Sequence, residues 1–341
     1  MGKILVTGGC GYIGSHTILD LLSKGYTVIS VDNFSNAEPA TLDRIAAVAG
    51  VHIPNYDVDL CDYPRLKAVF EENPDISGVI HFAALKNVGE SVEQPIRYYH
   101  NNLQGLLHLL QVMVEHQVPR LIFSSSCSVY GNAEHLPVTE NTPLQEAESP
   151  YARTKQMGEQ IISDVLHSHP SLNCIILRYF NPAGAHESAL IGEAPFNKAS
   201  NLVPVITETA IGKREQMVVF GNDYDTRDGT CVRDYIHIMD LADAHTRALR
   251  FLADQTPEGK IEYLNLGIGQ GVSVLEAIEA FEKVSTQPLN YRIGPRRPGD
   301  VVAVYADYSK AARLLDWQPK RTIEDIMRSA WLWEQNRSKT S

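Results

Sequence analysis

Lys3-Ile4-Leu5-Val6-Thr7-Gly8-Gly9-Cys10-Gly11-Tyr12-Ile13-Gly14 is the stretch from which the fold is read. A short β-branched run ends in glycines. The helical pattern Ile13, Thr17, Ile18, Leu21, Leu22 follows at once and stops at Gly25. Thr27-Val28-Ile29-Ser30-Val31 then reads as a second strand that ends in Asp32. Glycines at a strand-to-helix turn, closed by an acid within about thirty residues, are the setting in which a backbone approaches a dinucleotide pyrophosphate. Gly8, Gly11 and Gly14 allow that approach, and the helix N-terminus supplies partial positive charge. A carboxylate at Asp32 accepts from both ribose hydroxyls and repels a 2′-phosphate, so NAD is expected rather than NADP.

Working outward, strands and helices alternate. The sequence predicts strands near Asn55–Val58, over Gly78–Phe82, over Arg120–Phe123 and over Cys174–Tyr179, with a helix through Leu66, Val69 and Phe70. It also predicts one long helix over Pro95–His116 and another from Tyr151 to Ser168. Uniformly apolar strands separated by helices imply an α/β fold, a Rossmann-type doubly wound parallel sheet covered on both faces. Residues 1–180 are expected to form the cofactor domain, with returns to it near 236–267. Residues 181–341 are expected to form a smaller α+β substrate domain. After residue 180 the readable elements are a helix through Val205–Ile211 and a strand Met217–Phe220, separated by loop-like stretches.

Tyr151-Ala-Arg-Thr-Lys155 follows the breaker pair Ser149-Pro150, so Tyr151 and Lys155 share one helix face. A free phenol has a pKa of about 10, and a fixed positive charge nearby favours its phenolate. The pair is therefore a candidate for moving a proton on or off a hydroxyl. Ser124-Ser125-Ser126 ends a strand, and Ser126 is read as a donor to the reacting oxygen. The net charge of −11 opposes a nucleic-acid surface, which needs a basic stripe. No run of eighteen apolar residues is present, so no membrane span is expected. Five scattered cysteines without Cys-x-x-Cys spacing suit a reducing, cytoplasmic setting, with no disulfide framework and no zinc site. His16, His81, His100, His186 and His237 have no metal-ligand spacing and are read as structural.

The spacing Gly8-x-x-Gly11-x-x-Gly14 resembles that of the short-chain dehydrogenase/reductase superfamily, whose active site carries Tyr-x-x-x-Lys. More specific stretches are His81–Lys86, Ser124–Gly131, Ser149–Lys155, Leu177–Gly184, Val232–His237 and Arg296–Asp300. Together they resemble, over nearly the whole chain, the extended members that interconvert UDP-galactose and UDP-glucose by epimerisation at C4. The resemblance implies catalysis by Tyr151, Lys155 and Ser126 with a tightly held NAD. It implies cofactor contacts at the three glycines and at Tyr12, Ile13, Asp32, Asn33, Asn36, Asp59, Leu60, Phe82, Ala83, Ala84, Lys86 and Asn101. Ser124, Tyr151, Lys155, Tyr179 and Phe180 complete that set. It implies sugar-nucleotide contacts at Lys86, Ser126, Tyr151, Asn181, Asn201, Leu202, Val218, Phe220, Arg233, Arg297, Asp300 and Val304. Arg233 and Arg297 can fork onto a diphosphate, and Phe220 can offer a flat face to uracil.

Rival activities are weighed by the same residues. A 4,6-dehydratase carries Asp-Glu after the active-site hydroxyl, where this chain has Cys127 and Ser128. A net dehydrogenase or reductase needs an exchanging cofactor. A non-catalytic NAD-sensing binder has no use for Ser126, Tyr151 and Lys155 together. In the family, the position of Val304 lines the pocket beside the C2 substituent, and a small residue there admits N-acetyl sugars. The alternative is that Val304 is an ordinary strand residue and its neighbours close the pocket. Relatives pair the two long helices into a dimer, and a homodimer is expected here.

Overall fold

Strand β1 (Lys3–Thr7) is buried from Ile4 to Thr7 and sits inside a seven-stranded sheet. The other strands are β2 (Val28–Val31), β3 (Asn55–Tyr56), β4 (Ile76–His81), β5 (Arg120–Ser126), β6 (Asn173–Tyr179) and an outer strand Ile261–Leu266. Their order is Ile261–Leu266, β6, β5, β4, β1, β2, β3, and every pairing is parallel. The architecture is that of a computed structural model describing residues 2–194, 199–297 and 300–340. Two apolar clusters cover the sheet. One carries Ile18, Leu21, Leu241 and Leu249, the other Leu66, Phe70, Leu109 and Met113. Burial on both faces explains why these strands read as unbroken apolar runs.

The element boundaries differ from expectation in informative ways. β3 is only two residues long, and β4 starts at Ile76 and ends at His81. The outer strand comes from the second half of the chain, so part of that half does complete the first sheet. The expected single helix over Pro95–His116 is broken into Pro95–Tyr99, a π-helical turn His100–Gln104 and Gly105–Glu115. Such turns are rare and are frequent at functional sites. Ser149 caps the helix Pro150–Ser168 by accepting from Ala152 N at 3.2 Å, and Pro150 occupies the first turn.

The substrate-side region is built from short pieces. Asn181–Ala183 pairs with Tyr235–His237, and Met217–Phe220 pairs with Tyr291–Gly294. Val232–Arg233 lies between Val272–Ser273 and Ala303–Val304. Helices Leu202–Ala210, Val274–Ser285 and Ile323–Thr340 enclose an apolar core containing Ile206, Phe281 and Trp331. Among the described residues, no helix is long and apolar enough to cross a membrane.

Candidate active site

The carboxyl ends of β1, β2, β4, β5 and β6 converge where β2 and β4 leave β1 on opposite sides, the place at which open α/β sheets bind ligands. Gly8 has φ +68°, and a Cβ there would lie 2.8 Å from Ala83 N. A Cβ on Gly14 would lie 2.2 Å from Gly8 O. The turn is a bare-backbone cradle that a side chain would fill. Asp32 ends β2 and accepts from Cys10 N and Phe34 N, both at 2.9 Å. Burial pushes its carboxyl up, and these amide bonds pull the other way. Asn33 donates to Asp59 at 3.3 Å, while Asn36 is exposed. Leu60 is buried and Ile13 packs against the core beside the turn. The residues fit a dinucleotide that runs from this acid across the glycine turn.

Loop 82–86 follows β4. Phe82 N donates to Thr7 O at 3.1 Å, Ala83 N lies 3.4 Å from Thr7 Oγ1, and Ala84 is half-buried. Lys86 is 3.8 Å from Glu193, and its ammonium lies 6.0 Å from the centre of the Tyr12 ring. Tyr12 donates to Gly184 O at 2.6 Å, joining the first helix to the loop that carries Asn181.

Lys155 is buried and donates to Ser124 O at 2.7 Å, with its ammonium 5.9 Å from the Tyr151 ring centre. Ser126 Oγ accepts from Ser128 N at 3.2 Å, which leaves its O–H free to donate. Its side chain also faces the Tyr151 phenol and favours the ionised form. Ser124 Oγ is bonded to Tyr179 OH, and Phe180 is buried beside it. The Lys155 ammonium thus lies near the phenol it is expected to acidify, and in the chain by itself burial opposes that effect. Burial pushes Tyr151 up to about 12; Ser126 lowers it and Cys127 raises it. Burial likewise pushes Lys155 down to about 8. In the chain without cofactor, loss of water is the largest influence on both groups.

The second half contributes two arginines and one acid. Asp300 lies 2.7 Å from Arg297 and 3.5 Å from Arg233, so one carboxylate gathers both guanidiniums. Arg297 also sits over the Phe220 ring at 5.6 Å. Pro298 and Gly299 of the Arg296–Asp300 stretch lie outside the described residues. Asn181 N donates to Asp234 O at 2.9 Å, and Asn201 donates to Glu193 at 2.9 Å. Leu202 packs on the core of its own region and Val218 pairs with Arg292. Val304 pairs with Arg233 and is buried in a cluster with Tyr130, Val138 and Phe180, against Cys127. Among the described residues, no group of three metal-binding side chains occurs.

Residues 5–330 match the protein family described as GDP-mannose 4,6 dehydratase. The full-length relatives carry a different activity. A UDP-glucose 4-epimerase of Bacillus subtilis is 48% identical, covering 97% of this chain and 96% of the relative. That of Dictyostelium discoideum is also 48% identical, over 97% and 95%. A crystal structure of UDP-glucose 4-epimerase from Stenotrophomonas maltophila, with bound NAD and formylated UDP-arabinopyranose, has a TM-score of 0.97. It is 44% identical and covers 100% of both chains. The Bifidobacterium longum enzyme, in complex with NAD+ and UDP, has a TM-score of 0.94 at 47% identity, over 99% and 100%. The chain belongs to this family, among its UDP-glucose 4-epimerases.

For a UDP-glucose 4-epimerase, the residues after Ser126 are as informative as Ser126 itself. Burial pushes the Cys127 thiol up to about 12, and the Ser128 hydroxyl is buried without a partner. Neither is an acid that could drive elimination, which separates this epimerase from the dehydratases of the wider family. Sequence reasoning missed Asn102. From the π-turn its side chain accepts Leu85 N at 2.8 Å and donates to Leu85 O at 3.0 Å and to Thr154 Oγ1 at 3.1 Å. Asn101 donates to Asn102 at 2.9 Å, and Thr154 donates to Tyr151 O at 2.7 Å. One buried amide thus ties the cofactor-side loop to the helix of Tyr151. A polar amide in the middle of an apolar helix, three residues before Gly105, was the signal for it.

Proposed function

We propose that this UDP-glucose 4-epimerase works through Tyr151, Lys155 and Ser126, and that the sugar nucleotide is held by Asn181, Phe220, Arg233 and Arg297. The observation that carries this reading is the meeting of the Tyr151 phenol, the Ser126 hydroxyl and the buried Lys155 ammonium at one strand end. The Tyr151 oxygen accepts the proton of the sugar C4 hydroxyl, which is typically worth about 10²–10⁴-fold. The Ser126 O–H donates to the C4 oxygen as it becomes a ketone. NAD, when bound, takes the C4 hydrogen as hydride, returns it to the other face, and adds a positive ring that favours the phenolate. Arg233 and Arg297 keep the diphosphate while the ketone turns. Tyr151 then returns its proton to the C4 oxygen, and the net change is inversion at one carbon.

Substrate breadth is read from Val304. Its position beside Arg233 and Cys127 supports a place next to the sugar, and a valine leaves room that a tyrosine would fill. With no added NAD, the protein is expected to convert UDP-galactose to UDP-glucose and also UDP-GalNAc to UDP-GlcNAc. Val304→Tyr is expected to keep the first conversion and lower kcat/KM for the second by at least about 10-fold, the scale of a lost steric fit. Wild-type protein inactive on UDP-GalNAc would end the idea of breadth. Protein inactive on UDP-galactose would end the epimerase reading.

Residues 1–180, together with the outer strand, are proposed as the NAD unit and the remainder as the sugar-nucleotide unit. A homodimer is proposed as well. Val88, Val92, Ile96, Leu107 and Met157 are exposed on neighbouring helices that include Pro150–Ser168, and Ile96 is 83% exposed. Large apolar side chains exposed on helices that pack together favour a second copy of the chain. Light scattering should return twice the mass of one chain; a single-chain mass at working concentration would rule this out. Five free cysteines, three of them buried, support the proposed reducing, cytoplasmic setting.

A further inference from the structure

A buried ion pair lies beneath the site, and the chemistry above does not use it. Glu159 is one turn beyond Lys155 on the helix Pro150–Ser168, and Arg178 stands opposite Ser125 in the β5–β6 register. Their side chains are only 4% and 5% exposed. Arg178 grips both carboxylate oxygens, Nε to Oε1 at 2.9 Å and Nη2 to Oε2 at 2.5 Å. Ser125 Oγ donates to the same Oε1 at 2.5 Å. Arg178 Nη1 donates to Tyr130 OH at 3.1 Å, and Tyr130 donates to Asn265 at 2.7 Å. The guanidinium also lies 5.1 Å from the Tyr130 ring centre and 4.7 Å from that of Tyr263. A pair this deep is a weak source of stability, because well-packed apolar residues often do as well.

We propose that Glu159 is a positioning residue for Lys155 and Ser126, with Arg178 as its counter-ion. The proposal rests on the catalytic roles assigned above. Through Ser125 the carboxylate holds the strand end on which two atoms matter: Ser124 O, which receives the Lys155 ammonium, and the Ser126 hydroxyl. Glu159 is also the negative charge that opposes the burial drawing the proton off Lys155. Beyond Tyr130 the carboxylate of Glu140 accepts from Asn265 N at 2.7 Å and so faces the far side of the cluster. Burial keeps His81 of β4 unprotonated, and keeps protons on the Cys174 thiol of β6 and on Tyr130, Tyr151 and Tyr263. Glu159 is therefore the charge that acts on Lys155, and Arg178 acts through the carboxylate it grips.

The test is the pH profile of kcat for UDP-galactose in the full-length holoenzyme. Glu159→Gln removes the negative charge that acts on Lys155 and leaves Arg178 uncompensated, so the alkaline limb should move down by about one pH unit. Arg178→Gln leaves a bare carboxylate, so that limb should move up by a similar amount. KM should stay within about three-fold in both, since neither group touches substrate. Glu159→Asp keeps the charge and should keep the limb in place while kcat falls. A merely structural pair would lower activity in both variants without opposed movements, and coincident limbs would overturn the proposal. If only one charge variant folds, the sign of its movement decides. If neither folds, the neutral double variant E159Q/R178Q should keep the wild-type limb, and a displaced limb overturns the proposal. Lys155→Met and Tyr151→Phe are run alongside. Wild-type rates in those would defeat the catalytic reading, whereas their loss with unmoved Glu159 and Arg178 limbs defeats this inference alone.

Discussion

Tyr151→Phe is expected to lower kcat for UDP-galactose by about 10²–10⁴-fold, the usual worth of a positioned acid–base group, and to leave KM within a few-fold. The substitution removes one oxygen from a ring fixed in the first turn of a capped helix, so the fold has little reason to respond. In the proposed mechanism that oxygen exchanges a proton with the C4 hydroxyl. Ser126 is oriented by Ser128 N to donate, and Lys155 is engaged by Ser124 O. Neither can act as the base in its place. Because burial lifts the phenol to about 12, its proton comes off near neutral pH only with help from added positive charge. Steady-state conversion of UDP-galactose, together with a thermal melt to show that the variant is folded, checks the expectation. A wild-type rate would remove Tyr151 from the chemistry.

Gly14→Val is the second large effect. The first atom of the new side chain would lie 2.2 Å from Gly8 O and 2.9 Å from Gly9 Cα, and backbone cannot yield as a flexible side chain can. Relief requires the helix Tyr12–Ser23 to withdraw from β1, which opens the cradle and moves the helix N-terminus off the pyrophosphate. Overpacking itself costs about 1–3 kcal/mol, and each 1.4 kcal/mol lost from binding is about tenfold in occupancy. The NAD released per chain on denaturation should fall to about a tenth of the wild-type value or less, and epimerisation should fall with it. A variant that retains wild-type NAD content would show that this glycine is not what admits the cofactor.

The first half of the chain could be read from its sequence because its strands are buried on both faces and punctuated by glycines. β1, β2, β5 and β6 therefore appear as apolar runs ending at turn residues. The helix break at His100–Gln104 was not read, although its polar run His100-Asn101-Asn102 marks it, because the turn is shaped by Asn102 reaching Leu85 and Thr154 in the folded chain. Apart from Met217–Phe220, which was read with its observed bounds, and Tyr291–Gly294, the substrate-side strands are two or three residues long, below what alternation can reveal. Their placement depends on tertiary bonds. Buried Asp234 accepts from Ile268 N at 2.7 Å, Gly269 N at 3.2 Å and Ala306 N at 3.0 Å, and so gathers two distant segments around Arg233 and Val304. The capping box of Ser273 and Glu276 did announce the helix Val274–Ser285, but it went unused. At the site, residue types and spacing gave Tyr151, Lys155 and Ser126. The burial that opposes ionisation of Tyr151 and Lys155 was not legible, because burial is a property of the folded chain and not of a motif.

The central claim is that one sugar carbon loses and regains the same hydrogen while Tyr151 carries only the hydroxyl proton. The direct test is UDP-galactose deuterated at C4, turned over in ordinary water by purified protein with no added NAD. The account predicts UDP-glucose that keeps its deuterium at C4, with no label passing to solvent. UDP-glucose that has exchanged its C4 label for hydrogen from water would contradict it.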